Sequence, residues 1–197
     1  TVERINQLPG DVAGFEMDVY FDTVKNSLLL YHDSTNYSST KIDAVLDQYR
    51  ERNMAASIWL DFKNLSAANE KQSLDFISSL KDKYQLNEKL IIESSHPELL
   101  QSFCKAGFFT SYYVPFSNPY QQSETEIIHD IDSIATNLER YPVNALSGYY
   151  FQYPLLKKYF PSFPLLTWID NSELSLVGFL FKRTLKHDPH LKVILHP

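Results

Sequence analysis

Two hydrophobic periods take turns along this chain. Between residues 14 and 21, Phe15, Met17 and Val19 alternate with Glu16 and Asp18, the period-two pattern of a strand with two unlike faces. Between residues 41 and 53 the apolar positions are Ile42, Val45, Leu46 and Tyr49, the i, i+3, i+4, i+7 stripe of an amphipathic helix. The same exchange continues to the end. "ASIWLDFKNL" reads as a strand, and Leu74, Ile77, Leu80 and Tyr84 mark a helix. "KLIIES" is a strand, and a helix follows with Pro97 in its first turn and Gly107 past its end. "FFTSYYVP", "VNALSGYY", "FPLLTWID" and "LKVILHP" read as further strands, separated by helices over 124–139, 153–160 and 172–187. Before all of these a short helix over 1–8 stops at Pro9 and Gly10. "TVKN" turns the chain after the first strand into another extended piece at 27–32, and "STNYSST" connects onward to the first long helix.

Strand–helix alternation of this kind predicts parallel strands joined by crossover helices. The core strands fall at 14–21, 56–62, 89–93, 109–114, 144–149, 164–169 and 191–195. A (β/α)8 TIM barrel needs one more, and its expected place is upstream of Thr1. On that reading residues 1–197 form a single α/β barrel domain that is N-terminally incomplete. The alternative is an open doubly wound sheet. No GxGxxG or GxxxxGK[ST] stretch supports a nucleotide-binding version of it.

Charge and composition narrow the partners. The formal net charge is −6 and no basic stripe is present, so nucleic acid is not an expected partner. Cys104 is the sole cysteine, which excludes a disulfide within the chain and a cysteine-built zinc site. No apolar run approaches the roughly 18 residues that span a bilayer, so no transmembrane segment is expected. The sequence starts at Thr1 rather than Met, and a signal peptide ahead of it would make the protein periplasmic or extracellular. Localisation and oligomeric state are otherwise not legible.

The chemistry concentrates in two strands. Glu16 and Asp18 share one face of theirs, while Trp59, Asp61 and Lys63 share one face of the other. In a barrel these faces point inward near the strands' C-terminal ends, where barrel enzymes keep their sites. Three carboxylates converging in a partly buried space repel one another, and without a cation at least one is protonated. One bound divalent ion removes the conflict, and hard oxygen donors suit Mg2+ or Ca2+. Lys63 adds a point charge suited to a phosphate oxygen. The plainer alternative is a set of internal salt bridges, such as Lys63 with Asp61. His32 at the end of the extended piece can act as a general acid toward a leaving alkoxide, or simply sit at the surface. Glu93 can line the cleft, whereas Ser95, His96 and Pro97 read as helix-start chemistry. Tyr112, Tyr113, Tyr149 and Tyr150 lie at or near strand ends and can form an aromatic wall for a headgroup or serve as packing. His187, His190 and His196 lie near the C-terminus, with His196 a weaker candidate for the barrel mouth. Ser147 lacks a GxSxG context.

"TVERINQLPGDVAGFEMDVYFDTVKNSLLLYHD" resembles the opening of the glycerophosphodiester phosphodiesterase family, with Thr1 at the threonine of Glu-Asn-Thr, Glu16 and Asp18 at Glu-x-Asp, and His32-Asp33 at His-Asp. "IWLDFKNL" is similar to the family's acid-x-Lys strand, placing Asp61 at a third metal ligand and Lys63 at the lysine. "LLTWIDN" is similar to the strand with a Trp-Thr-Val-Asn type motif, placing Trp168 in the substrate cleft. "DPHLKVILHP" resembles the closing strand, its Asp-x-Pro end degraded to Leu195-His196-Pro197. The resemblance implies a phospholipase-C-like phosphodiesterase barrel using one divalent metal and two histidines. Glu16, Asp18 and Asp61 hold the metal, His32 and Lys63 are catalytic, and Lys63, Trp168, Tyr113 and Glu93 bind substrate, a glycerophosphodiester-like or phospholipid-derived compound. Two departures stand out. The family's leading His-Arg pair is absent from this sequence and is expected upstream. The usual long insertion after His-Asp is also missing, as in the compact sphingomyelinase D and menorin-like barrels. The alternative function is a barrel of the same family that has lost catalysis and binds a ligand or a protein.

Overall fold

The computed structural model describes residues 2–31, 37–115, 117–168, 183–185 and 187–195. They fall into two compact units, residues 1–110 and 111–197.

The first unit opens with helix α1 (Val2–Gln7) and strand β1 (Gly14–Asp22), which turns back into β2 (Ser27–Tyr31) and β3 (Tyr37–Lys41). Helix α2 (Ile42–Glu51), strand β4 (Ser57–Phe62), helix α3 (Glu70–Tyr84) and strand β5 (Leu90–Ser94) follow, then a 3-10 turn at Pro97–Leu100 and helix α4 (Gln101–Lys105). The strands lie side by side in the order β3-β2-β1-β4-β5. β1, β4 and β5 are parallel, while β2 and β3 pair antiparallel. β4 pairs with β1 from Gly14 to Val19, and β2 pairs with it only from Val19 to Asp22. The close approach to β4 requires Gly14, because a Cβ there would stand 2.9 Å from the Ser57 carbonyl oxygen.

The apolar face of these strands packs on helices, as the alternation predicts. Phe21 meets Phe76 of α3 at a ring separation of 5.8 Å, and Phe15 meets Tyr49 of α2 at 6.3 Å. Val19, Ile58, Leu60, Ile77 and Ile92 are fully enclosed. Helix α4 ends at Gly107, whose φ of +82° is the left-handed conformation that glycine adopts at lowest cost.

β3 was not expected, since "STNYSST" reads as a connector. Its sequence, YSSTK, has no apolar alternation to signal a strand. Tyr and Thr favour extended backbone, however, and β2 offers an edge that leaves backbone groups to be satisfied. The structure satisfies them through Leu29 with Lys41 and Tyr31 with Tyr37.

Strand β6 (Phe109–Tyr113) contains the point of division. The second unit continues with α5 (Glu124–Arg140), β7 (Ala145–Tyr149), a 3-10 turn at Tyr150–Gln152, α6 (Tyr153–Tyr159), β8 (Leu165–Trp168) and β9 (Leu191–Leu195). β6, β7, β8 and β9 are neighbours in that order, all parallel. All seven core strands read from the sequence are therefore present. The expected helix over 172–187 lies mostly outside the described residues, of which 183–185 are helical. Helix α5 starts with a reciprocal capping box between Ser123 and Glu126.

Just ahead of β9 in the chain, Asp188 gathers a polar knot. It accepts hydrogen bonds from the Lys157 ammonium and, at 3.0 Å, from the His190 backbone N–H, and its Oδ1 lies 3.1 Å from His190 Nδ1. Burial opposes ionisation of Asp188, but Lys157 and His190 hold its carboxyl well below the usual range. A depressed carboxylate stabilises the fold above its unfolded pKa, and that contribution is lost as the pH falls through the acid range. Asp188→Asn is expected to cost about 1–3 kcal/mol at pH 7 and to flatten the loss of stability below pH 4. Urea unfolding at pH 7 and pH 3.5 checks both; equal stabilities of parent and variant at pH 7 would speak against this role.

Candidate metal centre

Parallel register brings the acids together. Asp18 of β1 lies directly beside Asp61 of β4, and Asp61 directly beside Glu93 of β5. Glu16 stands two residues before Asp18, on the same face of β1. One carboxylate oxygen from each of Glu16, Asp18 and Asp61 lies within 4.8 Å of the others. All three side chains are half-buried. Glu93 is 1% exposed, enclosed where the sequence allowed a cleft residue.

Lys63 follows the end of β4, its backbone N–H donating to the Val19 carbonyl at 2.9 Å. Its ammonium donates to Asp18 at 2.7 Å and also to Asp61. Burial lowers the tendency of Lys63 to hold its proton, but the Asp61 charge and the hydrogen bonds to both aspartates outweigh it and raise its pKa. One lysine charge faces three carboxyl groups. Burial, then the Asp18 and Asp61 charges, push the Glu16 carboxyl up to about 8 against the pull of Lys63. Burial likewise raises Asp61, with Lys63 opposing.

This donor set fits a hard divalent cation. It offers carboxylate oxygens within reach of one ion, no sulfur, and an excess of negative charge that Lys63 leaves uncompensated. The cluster thus has the electrostatic character the sequence predicts, and the lysine contact goes further than expected by bridging two strands.

In the second unit Trp168 meets Tyr113 at a ring separation of 5.2 Å and Tyr149 at 4.8 Å. Phe151, unremarked in the sequence, stacks on Tyr149 at 5.2 Å. These rings stand at or just past the C-terminal ends of β6, β7 and β8 and are half-buried, whereas Tyr112 and Tyr150 are buried. Tyr112 takes a hydrogen bond from Asn137 at 3.0 Å, the packing role that was its alternative. His190 belongs to the Asp188 knot. His96 Nδ1 lies 3.1 Å from Glu98, at the start of the turn before α4. His32, Asp33 and His196 lie outside the described residues.

Sequence reasoning overlooked Asn64. Its amide accepts from the Phe21 N–H at 2.8 Å and donates to the Phe21 carbonyl at 3.0 Å. The available signal was its place directly after Lys63.

No protein-family model matches the chain, and no curated protein matches it in sequence. Its fold has clear counterparts among solved structures. A glycerophosphodiester phosphodiesterase from Parabacteroides distasonis superposes with a TM-score of 0.67 at 11% identity, covering 100% of this chain and 84% of its own. One from Thermotoga maritima gives 0.60 at 15% identity, covering 100% and 87%. A phosphodiesterase from Oleispira antarctica, solved in complex with the product sn-glycerol-3-phosphate, gives 0.67 at 10% identity, covering 100% and 86%. The chain has the α/β fold, built on parallel strands, of the glycerophosphodiester phosphodiesterases.

Proposed function

We propose that this protein is a metal-dependent phosphodiesterase acting on a small phosphodiester of the glycerophosphodiester or phospholipid-derived class. The observation that carries this reading is the convergence of Glu16, Asp18 and Asp61 within 4.8 Å on a fold shared with phosphodiesterases. Those three residues would hold one divalent cation, Mg2+ or Ca2+. When bound, such an ion polarises a phosphoryl group and offsets the charge that develops on its oxygens.

The chain's own groups do the rest. Lys63, already placed beside Asp18 and Asp61, holds a phosphate oxygen with its ammonium. His32 gives a proton to the leaving alkoxide. Glu93 completes the acidic row beside Asp61. The test is hydrolysis of a panel of glycerophosphodiesters with and without added Mg2+, Mn2+ or Ca2+. Turnover that depends on the cation and is lost in His32→Ala supports the reading. A protein that binds none of these ions and turns over none of the panel counts against it.

One observation favours a second reading. The Lys63 ammonium already bridges Asp18 and Asp61, as an internal salt-bridge cluster in a non-catalytic barrel would have it. Calorimetric titration with divalent ions separates the two, because a purely structural cluster shows no saturable uptake.

A further inference from the structure

The sheet pairing between β1 and β4 ends with Val19 opposite Phe62, but the backbone pairing does not stop there. Lys63 N–H reaches the Val19 carbonyl at 2.9 Å. One residue on, the side-chain amide of Asn64 takes over. It accepts from Phe21 N–H at 2.8 Å and donates to Phe21 C=O at 3.0 Å. It thereby satisfies both backbone groups of a residue that the neighbouring strand no longer reaches. Asn64 is itself held. Its backbone carbonyl accepts from the Asn69 side-chain amide at 2.8 Å, and the Asn69 Oδ1, in a residue 4% exposed, accepts in turn from Ser66 N–H at 2.9 Å.

The consequence concerns Lys63. It lies between a backbone bond to β1 and a side-chain clamp to β1. Its stem therefore leaves the sheet from a fixed point, two residues beyond Asp61 and level with the strand that carries Asp18. A lysine on four flexible methylenes loses considerable rotamer freedom when held to two carboxylates. A fixed backbone keeps the origin of that stem in place, so that only the side-chain torsions remain to be ordered.

We infer that Asn64 is a positioning residue of the acidic centre, acting through Lys63 and supported by Asn69. The inference rests on the cluster's being the working site, as proposed above, but its decisive test needs no metal and no substrate. Lysine ammonium protons held in ion pairs exchange slowly enough to give a 1H–15N resonance, and Lys63→Ala identifies that of Lys63. In the metal-free protein the resonance is expected to be present in the parent, lost or broadened in Asn64→Ala, and retained in Asp188→Asn, whose destabilisation arises elsewhere. An unchanged Lys63 resonance in Asn64→Ala overturns the inference, as does its absence from the parent.

A cation titration supplies a second arm. Lys63 competes with a cation for Asp18 and Asp61. Asn64→Ala is therefore expected to tighten Mn2+ binding about three- to tenfold in the parent and to change nothing in a Lys63→Ala background, the signature of a residue acting through another. Equal shifts in both backgrounds, or weaker binding in the parent, overturn it. A parent that takes up no Mn2+ counts against the proposed function and leaves the resonance to decide on Asn64.

Discussion

Asp18→Asn is expected to remove divalent-cation binding and phosphodiester hydrolysis together. The substitution preserves volume and keeps one oxygen that can still accept from Lys63, which lies 2.7 Å from Asp18, so the fold has no reason to fail. What it removes is a formal charge from a cluster whose oxygens lie within 4.8 Å of one another. Losing an outer-shell partner of a metal ligand typically weakens binding 10- to 100-fold, so losing a charged ligand should cost roughly 100-fold or more. Activity should fall in parallel, because the proposed reaction uses the same ion. Mn2+ calorimetry and a glycerophosphodiester assay on one preparation provide the check. A variant that keeps full activity would contradict the assignment of the cluster, whatever its effect on affinity.

The metal-free protein should lose stability between pH 4.5 and 8, and Glu16→Gln should abolish much of that loss. A carboxyl that titrates near 4.5 in the unfolded chain and is raised to about 8 in the fold leaves the folded state binding more protons across that window. Stability therefore falls as the pH rises through it and levels off above. With about 1.4 kcal/mol for each pH unit of the window, discounted because the side chain is only half-buried, the difference amounts to roughly 2–4 kcal/mol. Glutamine cannot ionise, so the variant should be the more stable protein at pH 8.5 in the presence of a chelator and close to the parent at pH 4.5. Adding a divalent ion at pH 8.5 should raise the urea midpoint of the parent and do little for the variant. Parallel pH profiles for the two proteins would mean that Glu16 ionises without penalty and that the acids do not crowd one another.

These two variants probe opposite sides of one electrostatic conflict. Removing Asp18 takes away charge the cation needs; removing Glu16 takes away charge the metal-free fold tolerates poorly. Their effects should not be additive, since each relieves the repulsion felt by the other. The Asp188 knot belongs to the other unit, and among the described residues its hydrogen-bond partners Lys157 and His190 are not those of the cluster. Combining Asp188→Asn with either variant should therefore give nearly summed stability changes.

Much of the architecture is a local property of the chain. The alternation of Phe15, Met17 and Val19 with Glu16 and Asp18 determines which side of β1 is apolar, because successive strand residues must face opposite ways. The stripes at Ile42, Val45, Leu46 and Tyr49 and at Ile77, Leu80 and Tyr84 mark the helix faces that the structure buries. Patterns of this kind along the chain place the core strands, which are parallel within each unit, and raise the expectation that two acidic strands share a site. What no local pattern contains is register. Asp18 lies beside Asp61, and Asp61 beside Glu93, because β1, β4 and β5 settle at these offsets, with the other face of β1 packed on α2 and α3. A slip of one residue would have turned the acids into that packing. The bridge from Lys63 to Asp18, the amide of Asn64 standing in for a strand and the burial of Glu93 depend on that tertiary choice, and the meeting of Tyr149 with Trp168 depends on the register of β7 and β8. Each joins residues that are distant in the chain, and their separation is set by packing rather than by sequence.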